Sequence, residues 1–225
     1  MTLEHWLKVW ASLPVLVQGL SVNLALLGGL LSLGFALGIV FAVLEVYGPR
    51  PLRIFASLYS WVFRSIPEIL LLLLVWLGPS RFGKPIAGFT AAVIALGLRS
   101  SAYQAQIFRG ALQAVPAGQM LAARALGLSK LQAVRHVLLP QAFRLSLAGW
   151  GNEFAVVLKD TTLAYAVGVV EVMFQARSMG TREMPLTLPA YITVALLFLG
   201  LTYAGLSLLG VVEKRLRIPG LEARR

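Results

Sequence analysis

Arg64, Glu68 and Arg99 stand inside stretches that are otherwise apolar, and so do Glu153, Lys159 and Asp160. A charge held in a bilayer is expensive and is kept where it is paired or functional. Arginine and glutamate together suit the capture of a zwitterion. A guanidinium fork matches a carboxylate, and a glutamate matches an ammonium. Arg99 lies near the middle of one apolar stretch. Glu68 lies near the middle of another, beside Pro67, which frees a carbonyl one turn earlier. Two readings stay open: a binding role, or ion pairing among Arg99, Glu68 and Arg64 that only holds helices together. Gln106, Asn152, Thr161, Thr162 and Gln175 add uncharged groups that can line a wet path with Glu153, Lys159 and Asp160, though a structural role is the plainer reading for most of them. Glu153 and Lys159 are not at helical pairing spacing, so each needs a partner on another helix. Glu171 is a candidate cap or gate on the outer side.

Other chemistries fall away. Gly78 to Lys84 fits the G-x-x-x-x-G-K skeleton of a phosphate loop, but Pro85 stands where Ser or Thr should hold magnesium, and an apolar helix pattern precedes it rather than a strand. No nucleotide site is expected in this chain. The chain has no cysteine, which removes disulfides and thiolate metal sites, and His5 and His136 are far apart. Glu4, His5 and Lys8 precede a long apolar stretch with no small-residue cleavage site, unlike a removable signal peptide.

The elements that must position these groups are membrane helices. The 225 residues are 58% hydrophobic and 13% charged, with mean hydropathy +0.80. Soluble domains carry about 25% charged residues. The pattern predicts an all-α polytopic bundle of about five spans, at 14–47, 52–77, 86–108, 145–165 and 188–212, forming a single domain over residues 1–225. Residues 1–13, with Leu3, Trp6, Leu7 and Trp10, predict an interfacial amphipathic helix. Residues 166–174 are too short to cross and suggest a re-entrant or interfacial piece, and 177–185 a polar loop. Gly34, Gly38 and Ala42 form a small-residue stripe, expected to pack within the subunit.

The net charge of +11 points to membrane topology rather than nucleic acid. One set of loops holds Arg50, Arg53, Arg109, Arg124, Lys130, Arg135, Arg144, Lys214, Arg215, Arg217, Arg224 and Arg225, and the other Lys8, Arg81, Lys84, Arg177 and Arg182. That roughly twelve-to-five bias places the first set, and the C-terminus, in the cytoplasm and the N-terminus outside.

The polar stretch 109–144 is the strongest local signal. Pro116 fits a first helical turn, Ala117 to Leu126 run on as a helix, and Gly127 supplies a stop. Ser129 fits the N-cap of a second helix ending before Pro140. In this segment, with Gly118, Gln119, Met120, Leu121 and Arg124, the alanines Ala122, Ala123 and Ala125 give the first helix a smooth surface that suits a partner's groove, while the plainer alternative is a loop that packs on its own bundle.

The run Ala102 to Gln119 resembles permease subunits of bacterial ABC importers for polar amino acids, the histidine/glutamine/arginine type. The resemblance continues through Ala122 to Gly127, Leu139-Pro140-Gln141-Ala142, Asn152-Glu153-Phe154 and Leu158 to Leu163, while Arg64-Ser65-Ile66-Pro67 looks like that family's Arg-Gly-Thr-Pro. It implies a type I importer fold in the bacterial cytoplasmic membrane with a second permease subunit, two ABC ATPases, an external binding protein and a polar amino acid as cargo. ATP and magnesium would sit on the ATPases, with no cofactor on this chain. In that family a Glu-Ala-Ala loop, here Leu121-Ala122-Ala123, forms a coupling helix docked on the ATPase, a rigid-body link between motor and spans. Residues 117–127 are therefore the expected coupling segment. Leu121 and Gln106 stand where the family usually has glutamate, which favours a heterodimer with an intact partner over a homodimer. The rival functions are an ion-gradient-driven transporter or channel, which inverted repeats would support, and a membrane scaffold, which gains little from intramembrane charge.

Overall fold

The structure is a computed structural model that describes residues 2–216. The C-terminal part of the charge count, Arg217, Arg224 and Arg225, lies outside the described residues. Among the described residues every regular element is helical.

Proline and glycine cut an apolar chain into helices. α1 covers Leu3–Ala11, and α2 covers Leu13–Tyr47. Pro14 is tolerated in the first turn of α2, and Gly48-Pro49 ends it. At about 1.5 Å per residue, the 35 residues of α2 exceed a roughly 30 Å hydrocarbon layer. α3 covers Arg50–Ser65 and α4 covers Glu68–Ser80. Pro67 disfavours helical geometry at Ile66, so the expected second span is a bent pair broken at Ile66-Pro67, with Glu68 in the first turn of α4. The segment before the phosphate-loop look-alike is thus helix. α5 covers Gly88–Ala114.

α6 covers Ala117–Ala125 and α7 covers Lys130–Ala133. α7 does not stop before Pro140. It passes through a π-helical turn, Val134–Leu138, into α8, Leu139–Asp160. Proline removes an amide donor and crowds the preceding turn, and the wider π turn absorbs that defect without ending the helix. A 3₁₀ stretch, Thr161–Val167, follows and ends at Gly168 with φ 79°. The helix expected at 145–165 therefore begins earlier, at Leu139, and its α-helical part ends at Asp160. α9 covers Val172–Arg182, so the expected polar loop at 177–185 is largely helical, and α10 covers Thr187–Leu216. Glu171 caps α9: its carboxylate accepts the N–H of Met173 at 3.0 Å and of Phe174 at 2.7 Å.

α2 and α10 are long and apolar enough to cross a membrane, and the α3–α4 pair makes a third if it counts as one span. α5 and α8, with 27 and 22 residues, have the length but dilute their apolarity with the polar groups of interest.

The chain divides into two compact units. The first comprises the chain up to Leu33, Ile66–Leu98 and Ala155–Gly205. Within it Asn23, fully buried, donates to Thr161 Oγ1 at 3.0 Å and Glu171 Oε2 at 2.9 Å and accepts the N–H of Val172 at 3.1 Å. Gly19 permits this approach, since a Cβ there would lie 2.8 Å from the Val172 backbone. Lys8 donates to Glu183 Oε2 at 2.9 Å, and that bond holds the ammonium pKa above its ordinary value.

The second unit comprises Gly34–Ser65, Arg99–Phe154 and the chain from Leu206. Here the small-residue stripe of α2 packs against α5. A Cβ on Gly34 would collide with the Gln104 amide, and one on Gly38 would come within 2.9 Å of Gln104 Cβ. Ala42 continues the seam into a core with Phe108, Ala111 and Leu112.

Candidate functional site

α6 is defined by its ends. With Gly127 at φ 85°, the Gly127 N–H donates to the Arg124 carbonyl at 3.0 Å and the Leu128 N–H to the Ala123 carbonyl at 3.2 Å, the double bond of a Schellman stop. Arg124 Nη1 adds a bond to the Leu128 carbonyl at 2.8 Å. Ser129 then opens α7 with a capping box: its Oγ accepts the Gln132 N–H at 3.3 Å, and Gln132 Oε1 accepts the Ser129 N–H at 2.8 Å.

One face of α6 is packed and the other open. Ala123 is buried in a core with Phe108, Val115, Ala133 and Leu138, and Met120 packs on its edge. Gln141 donates to Gln119 Oε1 at 3.3 Å. On the open side Leu121 is 70% exposed, Leu126 84%, and Leu131, on α7, 73%. Ala117, Gly118, Ala122, Arg124, Ala125 and Gly127 are exposed as well. Large apolar side chains left exposed on one short segment suit an interaction face. The rod is neither frayed nor sealed beneath its own bundle.

The second unit also assembles polar groups along α5. Arg64 and Arg99 converge on one ring, with guanidinium carbons 5.1 Å and 4.7 Å from the Tyr103 centroid. Arg99 is buried and Arg64 exposed. Cation–π contact holds both at modest cost. Beside Arg99 a buried hydrogen-bond chain runs from α8 to α5 and back. The Trp150 indole donates to Gln104 Oε1 at 2.8 Å, the Gln104 amide to Ser100 Oγ at 3.1 Å, and the Ser100 hydroxyl to Glu153 Oε1 at 2.8 Å. Glu153 is buried, whereas Asn152 is exposed.

Gln106 has a different partner. Its amide donates to both oxygens of Glu45, at 3.0 and 3.1 Å. Glu68, Lys159, Asp160 and Thr161 belong to the first unit. Thr161 is buried and bonded to Asn23, and Lys159 is exposed. The candidates are thus several local constellations, with Arg64 and Arg99 brought together, Glu153 tied to Ser100, and Gln106 tied to Glu45. Glu45, Gln104, Asn23 and Tyr103 were missed as site residues. Asn23 and Glu45 carried a signal, a lone polar side chain in an apolar run. Gln104 carried none, because only its contact with Gly34 shows that it is buried.

Helices throughout the described residues, some of spanning length, buried charge along them and an exposed apolar rod are the features of a transport permease. Residues 34–218 match the family described as binding-protein-dependent transport system inner membrane component. The chain is 35% identical over 229 residues to the arginine ABC transporter permease protein ArtQ of Haemophilus influenzae, covering 97% of each chain. It is 32% identical over 205 residues to a probable amino-acid permease protein, YxeN, of Bacillus subtilis, covering 90% of this chain and 91% of that one. A crystal structure of an amino acid ABC transporter with histidines superposes with TM-score 0.85 at 34% identity, covering 96% of this chain and 100% of that chain. The protein belongs to this family: it is a multi-pass permease subunit of a binding-protein-dependent importer of the inner membrane.

Proposed function

We propose that this chain forms half of the path for a polar amino acid in an ATP-driven importer, and that it performs no covalent chemistry. Separate ABC ATPases hold ATP and magnesium, and an external binding protein delivers the cargo. The observation that carries the reading is α6, with Ala123 anchored in the core and Leu121 and Leu126 left open for a motor. Every described basic residue of the larger charge group falls in the second unit, and every one of the smaller group in the first. The roughly twelve-to-five bias between the two sets of loops supports five crossings with the larger set and the C-terminus cytoplasmic and the N-terminus outside. The helix α1 lies at the interface in this reading, and 109–144 is the cytoplasmic coupling region. Leu121 and Gln106, in place of glutamates, favour a heterodimer with a second permease.

The test is reconstitution. The chain is co-expressed with its ATPase and a second permease, and ATP hydrolysis is measured in liposomes with and without binding protein and amino acids. Hydrolysis stimulated several-fold by loaded binding protein is expected. ATP-independent flux through the chain would instead favour a gradient-driven transporter.

Arg99 is assigned to the cargo carboxylate, with Arg64 sharing the Tyr103 ring. Arg99→Ala should raise the cargo concentration needed for half-maximal uptake by about tenfold or more, the scale of a lost charge-assisted bond. Unchanged affinity would make Arg99 structural.

A further inference from the structure

The cytoplasmic end of α2 holds a carboxylate that the transport reading does not use. Glu45 has a side chain only 4% exposed, yet four polar contacts surround it. Ser60 on α3 donates to Oε1 at 2.8 Å. Gln106 on α5 donates to both oxygens. Arg109 Nε, one turn further along α5, lies 3.3 Å from Oε2, an ionic contact without hydrogen-bond alignment. One buried charge therefore joins three helices.

Two residues on, the same end of α2 makes a second tether. Lys130 Nζ donates to the Tyr47 carbonyl at 2.8 Å and stands 5.9 Å from the Tyr47 ring centroid. Arg109 precedes α6 and Lys130 follows it. Both flanks of α6 are thus bound to one short piece of α2, and Ala123 between them is packed in the core that includes Ala42.

We infer that the Glu45–Tyr47 end of α2 is a clasp that carries displacement of the α6 segment into α2 and α3, with Glu45 as its positioning residue. This rests on α6 being the motor's docking site. A push on α6 moves Gln106 and Arg109 through α5 and Lys130 through α7. Glu45 converts the first, and the Tyr47 carbonyl the second, into movement of α2, and Ser60 carries it to α3. A buried carboxylate suits the task because breaking its pairing leaves an uncompensated charge, so the joined helices shift as one body instead of sliding apart. Gln106 must be a donor here. A carboxylate at 106 would set two negative charges within hydrogen-bond distance in a buried place.

The geometry gives a sharp test, because glutamate and glutamine have the same shape. Glu45→Gln, Gln106→Glu and the double exchange are made in the complete complex. Two quantities are read: ATPase retained on purification, and amino acid moved per ATP hydrolysed. Each single variant should keep its ATPase but move about tenfold less cargo per ATP. The exchange, which restores one carboxylate and one amide between Ser60 and Arg109, should recover to within about threefold of the natural chain. A Glu45→Gln variant that couples normally overturns the clasp. So does an exchange no better than the single variants, whether it is inactive or fails to assemble. If the natural chain retains no ATPase, the docking reading fails and takes the clasp with it, whereas failed rescue with ATPase still bound sinks the clasp alone.

Discussion

Changing Leu121 and Leu126 together to arginine is expected to strip the ATPase from the purified complex and to stop uptake. Leu121 on the open side of α6 and Leu126 just past its end are 70% and 84% exposed, and they stand apart from the buried Ala123 that anchors the helix. Burying a leucine in a partner's groove contributes about 2 kcal/mol. Losing two removes about 4 kcal/mol, roughly three orders of magnitude in affinity, before the cost of pressing two guanidinium groups into an apolar groove is added. Co-purification stoichiometry and amino-acid uptake in vesicles measure the effect. The packed face is untouched, so expression and folding should survive. Met184→Arg adds charge at an exposed residue of the first unit and should leave ATPase binding intact. Wild-type stoichiometry and uptake in the double variant would mean that α6 grips nothing through this face.

The same face answers what Leu121 means. A glutamate at that position could offer the motor a charge. In the proposed dock a leucine offers apolar area instead, and Leu126 and Leu131 are exposed in the same segment. Apolar docking is less sensitive to salt than ionic docking, which gives the interface a measurable signature in the same purification.

The fold was legible where chemistry is local. Pro116 and Gly127 delimit α6 because one lacks an amide hydrogen and the other accepts a left-handed turn, and both rules act within four residues. Ser129 opens α7 for a similarly local reason. Pro140 misled because the rule that proline ends a helix assumes an α turn before it. Val134–Leu138 winds as a π turn, which depends on packing around Ala133 and Leu138 that no window of sequence displays. The family resemblance points to residues 117–127 as the proposed coupling segment for the same reason that α6 could be read directly: its residues are contiguous. The buried constellations are not contiguous. Arg64 meets Arg99 only across Tyr103, and Glu153 finds Ser100 only because α5 and α8 lie side by side. Spacing within one helix shows which charges share a face, but not which helix that face meets. Glu45 and Glu171 show the limit from another side. The side-chain donors to Glu45, and the Asn23 donor to Glu171, come from distant segments, so the sequence reveals an expensive group without revealing all that satisfies it.

Glu171→Ala is expected to destabilise the first unit severely. The carboxylate is fully buried and accepts three donors: the Asn23 amide at 2.9 Å, the Met173 N–H at 3.0 Å and the Phe174 N–H at 2.7 Å. The backbone pair is the start of α9, whose first turn has no other acceptor within its own helix. Alanine removes the acceptor, stranding the buried Asn23 amide and two part-buried backbone donors. Each stranded donor costs about 1–3 kcal/mol, so the sum is on the order of 4 kcal/mol. Asn23 then loses one of its three partners and keeps only Thr161 and the Val172 N–H. Gly19 lets the backbone of Val172 lie close to α2, so the segment has no slack in which to find other acceptors. A chain of this length loses about 2–4 °C of melting temperature per kcal/mol. The purified complex should therefore melt roughly 10 °C lower, or accumulate poorly in the membrane. Glu171→Gln keeps the shape and one oxygen, so it should fall between the natural chain and alanine. Asn23→Leu should approach alanine, because it strands Glu171 and the Val172 N–H together. A Glu171→Ala complex that melts with the natural one would mean that α9 is held by its apolar face alone and that the cap contributes nothing.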